Sequence, residues 1–163
     1  MVTTTIKSTT GKGQRTPRSM DTYREKGGIE GVGQCGCGAV FRNKRWFSKE
    51  SGVKPEGGHV LVCPACRRIA DRNPAGIVSL QGSFLAAHEA EIDNLISHTA
   101  QAAVMKNALG RVMDTSKGKD GITITTTDGK LAQKIGREVF KAHGGELHFK
   151  WSHEEDLVRV TWS

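Results

Sequence analysis

Every second residue is apolar in two stretches near the end of the chain, and this alternation predicts two β-strands. The apolar positions are Leu147, Phe149 and Trp151 in the first stretch and Val158, Val160 and Trp162 in the second. A polar turn over residues 152–156 separates the two stretches. We therefore expect two strands, each with one face turned toward a core.

Apolar residues that recur at spacings of three and four predict two helices in the second half of the chain. The first is capped by Ser83, carries Leu85, Ile92, Leu95 and Ile96 on one stripe together with His88, and ends near Gly110. The second is capped by Asp128, carries Leu131, Ile135 and Val139, and stops at Gly144-Gly145. We expect His88 to be a boundary residue with a hydrogen-bond partner rather than a ligand.

Runs of aliphatic and β-branched residues indicate further strands over residues 77–81 and 121–127. Between them, the short stretch Arg111-Val112-Met113 precedes a polar turn over residues 116–121. Asn73-Pro74-Ala75-Gly76 marks a domain boundary. Residues 74–163 thus have the order β-α-β-β-α-β-β, which is that of a small ferredoxin-like α/β sandwich with one strand added. The predicted fold class is α+β.

The four cysteines of the chain lie as two tight pairs within residues 31–73. One glycine separates Cys35 from Cys37, and Pro64-Ala65 separates Cys63 from Cys66. Two thiolate pairs on two turns supply the four soft ligands of a tetrahedral zinc site, and the short apolar strands between them are typical of a zinc ribbon. Because four cysteines close the coordination shell, the Zn²⁺ would be structural and would catalyse nothing.

Other roles for these cysteines are two disulfides, a redox dithiol or four unrelated buried thiols. No secretory signal precedes the cysteines, so we expect a reducing cytoplasmic environment that disfavours disulfides. A thioredoxin-like dithiol would lie at the end of a strand in a βαβ unit and would leave the first pair without a role. Replacement of one thiolate ligand by His59 is a further alternative.

The net charge of +7 is spread unevenly along the chain. Residues 1–75 contain fourteen Lys and Arg against six Asp and Glu, whereas residues 76–163 contain ten against eleven. This asymmetry is typical of proteins that bind nucleic acid, and a solvated basic surface without a partner is the alternative. Residues 1–30 have few apolar side chains, so we expect them to form a disordered basic arm.

Basic and aromatic side chains lie close together in the cysteine module. The candidates for nucleic-acid contact there are Arg42, Lys44, Arg45, Trp46, Arg67 and Arg68. Lys and Arg bind phosphates, and an aromatic ring can stack on an unpaired base. Alternatively, Phe41, Trp46 and Phe47 only form the small core of the ribbon.

The second predicted helix carries a row of cations on the face opposite its apolar residues. The row consists of Lys130, Lys134, Arg137 and Lys141. Like charges at these spacings destabilise an isolated helix by about 0.2–0.5 kcal/mol per pair. Contact with phosphates is one explanation for the row, and ordinary helix solubility is the other.

Sequence motifs of common enzyme classes are absent. The chain has no Gly-x-x-x-x-Gly-Lys-Ser/Thr phosphate loop, no Gly-x-Ser-x-Gly elbow and no His-Glu-x-x-His pair. We therefore expect neither catalysis nor a small-molecule substrate. No apolar run approaches the roughly 20 residues that a bilayer-spanning helix needs, so we expect no membrane association.

Several motifs taken together are similar to those of a known family. They are Cys-Gly-Ala-Val-Phe at 37–41, Cys-Pro-Ala-Cys-Arg-Arg-Ile-Ala-Asp at 63–71, Pro-Ala-Gly-Ile-Val at 74–78, Gly-Ser-Phe-Leu at 82–85 and Thr-Thr-Thr-Asp-Gly-Lys-Leu-Ala-Gln-Lys-Ile-Gly at 125–136. Over residues 34–163 the chain resembles the small bacterial and archaeal relatives of the nonsense-mediated-decay protein three family, the zinc-bearing adaptor of the large ribosomal subunit. That family usually has Cys-x-x-Cys at its first knuckle, and here Gln34 stands where its first ligand would be. The resemblance implies association with the ribosome or ribosomal RNA.

These patterns favour a non-catalytic, zinc-bearing RNA-binding protein of the bacterial cytoplasm that acts on the ribosome in assembly, quality control or dormancy. One rival hypothesis is a DNA-binding zinc ribbon that serves as a transcription accessory. A second is a protein-interaction module whose aromatic strand docks a partner, and a third is a hydrolase with an unrecognised site.

Overall fold

Two β-sheets and four helices make up the computed structural model, which describes residues 6–8, 23, 30–152 and 156–163. The strands are β1 (Ile6–Ser8), β2 (Gly33–Gln34), β3 (Val40–Arg42), β4 (Arg45–Phe47), β5 (His59–Val60), β6 (Gly76–Gln81), β7 (Val112–Gly118), β8 (Gly121–Thr126), β9 (Leu147–Trp151) and β10 (Val158–Trp162). The helices are α1 (Pro64–Asp71), α2 (Phe84–Ala87), α3 (Glu89–Lys106) and α4 (Gly129–His143). In this described part of the chain, no helix has both the length and the apolar character needed to cross a membrane.

The larger sheet has six strands in the order β1-β9-β10-β6-β8-β7. Neighbouring strands pair antiparallel from β6 through β8 to β7, and β9 pairs antiparallel with β10. β10 runs parallel to β6, so it lies inside the sheet, between β9 and β6. β1 adds a parallel edge strand, with Ile6 opposite Leu147.

Helices α3 and α4 lie side by side, and α4 packs across β6, β8 and β10. Side chains of a strand alternate between its two faces, so the apolar positions of each strand share one face. That face packs against the helix layer. The core they form with the helices includes Val78, Leu80, Ile122, Ile124, Leu131, Ile135, Val139, Leu147, Phe149 and Val160. Burial of each large aliphatic side chain contributes about 1.5–3 kcal/mol to stability, so this core dominates the folding of residues 76–163.

Gly136 allows α4 to approach β10 closely. A Cβ atom at this position would overlap Cγ1 of Val160 and would lie 3.1 Å from Cδ1 of Leu147. Glycine inside a helix is about 1 kcal/mol less favourable than alanine. The close helix–sheet contact therefore explains why a glycine stands in the middle of α4.

The smaller sheet has four strands in the order β4-β3-β2-β5. β2, β3 and β4 pair antiparallel, and β5 runs parallel to β2. Phe41 is buried, and its ring lies 5.3 Å from that of the partly buried Trp46. The first cysteine pair directly follows β2, and the second lies at the start of α1, shortly after β5.

The structure confirms the predicted α+β class, and several predicted elements have matching bounds. β9 spans the predicted residues, and α4 begins after Asp128 and ends before Gly144. The predicted helix from Ser83 is instead two helices, α2 and α3, which meet at His88. The polar turn predicted over residues 116–121 is confined to Lys119 and Asp120, because β7 continues to Gly118 as an exposed edge strand whose backbone pairs with β8. Its polar side chains left no apolar alternation to indicate a strand.

Most of the predicted disordered arm, residues 1–30, lies outside the described residues. Of residues 1–30 the structure describes only Ile6–Ser8, Tyr23 and Glu30. The backbone of β1 pairs with β9, and Tyr23 is buried against α1. The Tyr23 hydroxyl donates to Asp71 over 2.8 Å and accepts from Asn73 over 3.2 Å. A buried ring with a satisfied hydroxyl is an effective anchor, which a count of apolar residues does not reveal.

Candidate metal centre

Folding brings the four cysteines together into one cluster. Their Sγ atoms all lie within 4.8 Å of one another. Cys35 and Cys66 are 3.6 Å apart, and Cys37 and Cys63 are 3.8 Å apart, measured between Sγ atoms. A tetrahedral zinc with Zn–S distances of about 2.3 Å separates its sulfurs by about 3.8 Å. The donor set and its spacing therefore fit a tetrahedral, thiolate-bound metal ion.

The first cysteine pair lies in the turn between β2 and β3. The backbone N–H of Cys35 donates to the carbonyl of Ala39 over 2.8 Å, and the N–H of Gly38 donates to the carbonyl of Cys35 over 2.9 Å. Gly38 has φ +96°, a conformation that glycine adopts without steric cost. This tight turn allows two cysteines with a single residue between them, Cys35 and Cys37, to reach the same cluster.

The second pair begins helix α1. Cys63 is its N-cap residue, and its Sγ accepts from the backbone N–H of Cys66 over 3.4 Å. Pro64 occupies the first helical position, where no N–H is needed. The backbone N–H of Cys63 donates to Sγ of Cys35 over 3.3 Å. N–H groups at a helix start favour negative charge, so these two donors oppose the effect of burial on Cys35 and Cys63.

In the metal-free cluster the pKa of Cys35 is lowered, whereas the pKa values of Cys63 and Cys66 are raised. Burial would raise the pKa of Cys35, but backbone hydrogen bonds from Cys37 and Cys63 outweigh it and lower the pKa to about 6. Burial raises the pKa of Cys63 to about 12, and burial also raises the pKa of Cys66. The metal-free site therefore holds a thiolate at Cys35 near pH 7, and metal binding has to displace protons from Cys63 and Cys66.

Arg111 reaches the cluster from the segment between α3 and β7. Its Nη2 donates to Sγ of Cys63 over 2.9 Å, and its Nη1 donates to Sγ of Cys66 over 3.6 Å. Burial would lower the pKa of Arg111, but its interactions with Cys63 and Cys66 raise it. Nothing in the sequence marks this arginine as part of the site, because the contact with Cys63 joins residues 48 positions apart.

Comparisons with protein-family models, with curated proteins and with solved structures gave no match. The resemblance to the nonsense-mediated-decay protein three family stays a prediction. The alternative ligand His59 is an exposed residue of β5, and the cluster consists of the four cysteines.

The turn between β3 and β4 presents three of the basic candidates for nucleic-acid contact. Arg42, Lys44 and Arg45 are all exposed, and Lys44 has a left-handed φ of +62°. The Arg45 guanidinium lies 5.6 Å from the centre of the Phe47 ring. Trp46 is half-buried and packs against the cysteine cluster, so it contributes to the small core while part of its surface remains accessible.

The two arginines after the second cysteine pair have different environments. Arg67 is half-buried, and its Nε donates to the carbonyl of Val62 over 3.3 Å. Arg68 is only 6% exposed and donates to the Asp156 carboxylate over 3.4 Å. Its guanidinium also lies 4.4 Å from the centre of the Tyr23 ring. The prediction that Arg68 extends the basic surface is therefore wrong, since these partners hold its charge inside the fold.

The cationic row of α4 lies outside the buried positions of that helix. Lys130, Arg137 and Lys141 are exposed, and Lys134 is half-exposed. Two of these cations already have partners: Lys141 pairs with Glu138 over 3.0 Å, and the Arg137 guanidinium lies 5.2 Å from the centre of the Phe149 ring. The row therefore lies on the large sheet's helix layer, whereas Arg42, Lys44 and Arg45 lie on the small sheet.

Proposed function

We propose that this chain is a non-catalytic zinc protein that binds structured RNA and associates with the ribosome. The observation that carries the proposal is the cluster of four cysteine sulfurs, all within 4.8 Å of one another. Four thiolates complete a tetrahedral shell and leave no position for water or substrate. The metal therefore stabilises the fold of the cysteine module and takes no part in a reaction.

In this proposal the small sheet and α1 form a zinc ribbon, and residues 74–163 form a ferredoxin-like domain with β10 as the added strand. The two cysteine turns of the ribbon are fixed by the ion, as in other small metal-dependent modules. A small four-stranded sheet with few buried apolar residues needs such a clamp, because its own core is too small to offset the entropy of folding.

The exposed cations support RNA as the partner. Arg42, Lys44 and Arg45 form a basic turn beside the half-exposed Trp46, which combines phosphate-binding charge with an aromatic surface. The row of α4 adds a second basic surface. Attraction between such surfaces and phosphates depends steeply on salt. Association with the ribosome, as opposed to other RNA, rests on the family resemblance.

Sedimentation of the zinc-loaded, full-length protein with purified ribosomal particles tests this proposal. We expect the protein to move with the particles at low salt and to be released as salt is raised. Duplex DNA of matched length serves as the competitor. Recovery of the protein only in the top fractions would contradict association with the ribosome, and equal competition by DNA would favour the transcription-accessory alternative.

A further inference from the structure

The guanidinium of Arg111 joins the metal centre to the larger sheet. Arg111 lies just before β7, whereas the two sulfurs to which it donates belong to the start of α1. Leu109, two residues earlier, packs against the cysteine cluster. The centre is thus completed by side chains from the part of the chain that folds around the other sheet.

The backbone around Arg111 is fixed from the larger sheet. The N–H of Arg111 donates to Oγ1 of Thr127 over 2.9 Å, and the N–H of Thr127 donates to the carbonyl of Arg111 over 2.9 Å. Thr127 is buried directly after β8, and its hydroxyl donates to the carbonyl of Leu109. The backbone from which the guanidinium extends is therefore held by hydrogen bonds to Thr127. The contact of the guanidinium with the sulfurs depends on how the cysteine module packs against the larger sheet.

Charge makes this contact sensitive to the metal. Four thiolates around a divalent ion carry a net charge of about −2, which a neighbouring guanidinium partly neutralises. An ion at the centre would hold the sulfurs of Cys63 and Cys66 in place as acceptors for Arg111. The Nε atom of Arg111 is buried without a hydrogen-bond partner among the described residues. The hydrogen bonds to the two sulfurs therefore offset much of the cost of burying the guanidinium.

We propose that Arg111 is a positioning residue of the metal centre, through which metal binding fixes the cysteine module against the larger sheet. This inference rests on the metal site of the proposed function but not on RNA binding. Because coupling between two equilibria is reciprocal, a metal that strengthens the Arg111 contact must itself be bound more tightly in its presence. Removal of a hydrogen-bond partner of metal ligands typically lowers metal affinity by about 10–100-fold.

Competition for zinc with a chromophoric chelator measures the first consequence. We expect Arg111→Met to weaken zinc binding by about 10–100-fold and Arg111→Lys, which keeps the charge, to have a smaller effect. Asp156→Asn is the matched interface control, because it breaks the ion pair with Arg68 without touching a sulfur. Arg159→Met, at an exposed position of β10, is the surface control. Both controls should retain the zinc affinity of the wild type, because neither removes a partner of a metal ligand.

Amide hydrogen exchange with and without zinc measures the second consequence, and its wild-type arm needs no variant to fold. Removal of zinc should increase exchange at the amides of Arg111 and Thr127, and this increase should be small in Arg111→Met. Wild-type zinc affinity in Arg111→Met, or unchanged exchange at both amides after zinc removal, would overturn the inference. Failure of the wild-type protein to bind zinc at all would instead contradict the proposed function.

Discussion

The Sγ atoms of Cys35 and Cys66 lie 3.6 Å apart, although 31 positions separate the two residues. One belongs to the turn after β2 and the other to the first turn of α1. Neither cysteine forms a disulfide. Both belong to the four-sulfur cluster, whose centre could hold a tetrahedral ion. This long-range approach is what turns two separate cysteine pairs into one candidate metal centre.

Replacement of Cys66 by serine should abolish stoichiometric zinc binding. A hydroxyl is a poor substitute for a thiolate ligand, and structural zinc in small modules contributes about 10–16 kcal/mol of apparent binding free energy. Elemental analysis of the purified protein should give one zinc per wild-type chain and a fraction of that in Cys66→Ser. His59→Ala is the control, since this exposed histidine lies outside the cluster. A full complement of zinc in Cys66→Ser would contradict the proposed site.

Zinc binding near pH 7 should release at least two protons. At this pH the metal-free protein holds a thiolate at Cys35, with a pKa lowered to about 6, while Cys63, with a pKa raised to about 12, and Cys66 keep their protons. Because the bound ligands are thiolates, these two protons must leave. Zinc affinity should therefore fall as pH falls, by about 100-fold or more per pH unit.

Calorimetric titrations with zinc in two buffers of different ionisation enthalpy count those protons directly. An ultraviolet titration of the metal-free protein should show one thiolate that forms near pH 6. Release of fewer than two protons per zinc would mean that Cys63 or Cys66 is not a ligand or is already ionised.

Alanine at Gly136 should destabilise the protein, although alanine is the better helix former. On helix propensity alone, the substitution would stabilise α4 by about 1 kcal/mol. The new Cβ would overlap Val160, and overpacking of this kind typically costs about 1–3 kcal/mol. Denaturant unfolding measures the net change. Ala102→Gly, at an exposed position of α3, isolates the propensity effect and should cost about 1 kcal/mol. A more stable Gly136→Ala would show that α4 and β10 are less tightly packed.

Local patterns predicted the elements whose side chains alternate or recur. The alternation of Leu147, Phe149 and Trp151 gave the bounds of β9, since each of these residues contributes to one face of a half-buried strand. The spacing of the cysteines likewise predicted a thiolate cluster, because the ligands of a structural zinc come in short pairs.

Relationships across long stretches of sequence could not be predicted in this way. Nothing local distinguishes the buried Arg68 from its neighbour Arg67, because the partners of Arg68 include Asp156, 88 positions away. The contact of Arg111 with Cys63 is similar. The place of β10 between β9 and β6 also depends on strand pairing, which the period of a single strand does not contain.

Neutral substitutions in the basic turn should reduce the salt dependence of RNA binding. If Lys44 and Arg45 contact phosphates, then Lys44→Gln and Arg45→Gln should each weaken binding and lower the slope of log K against log salt by about one. Lys117→Gln is the matched control, because the ammonium of Lys117 already pairs with Glu89 over 2.7 Å and also with Asp93. Fluorescence-anisotropy titrations with a labelled ribosomal-RNA fragment at several salt concentrations give these slopes. Equal slopes for Lys44→Gln, Arg45→Gln and the wild type would show that the basic turn is a solvated surface. The cationic row of α4 would then be the remaining candidate for RNA contact.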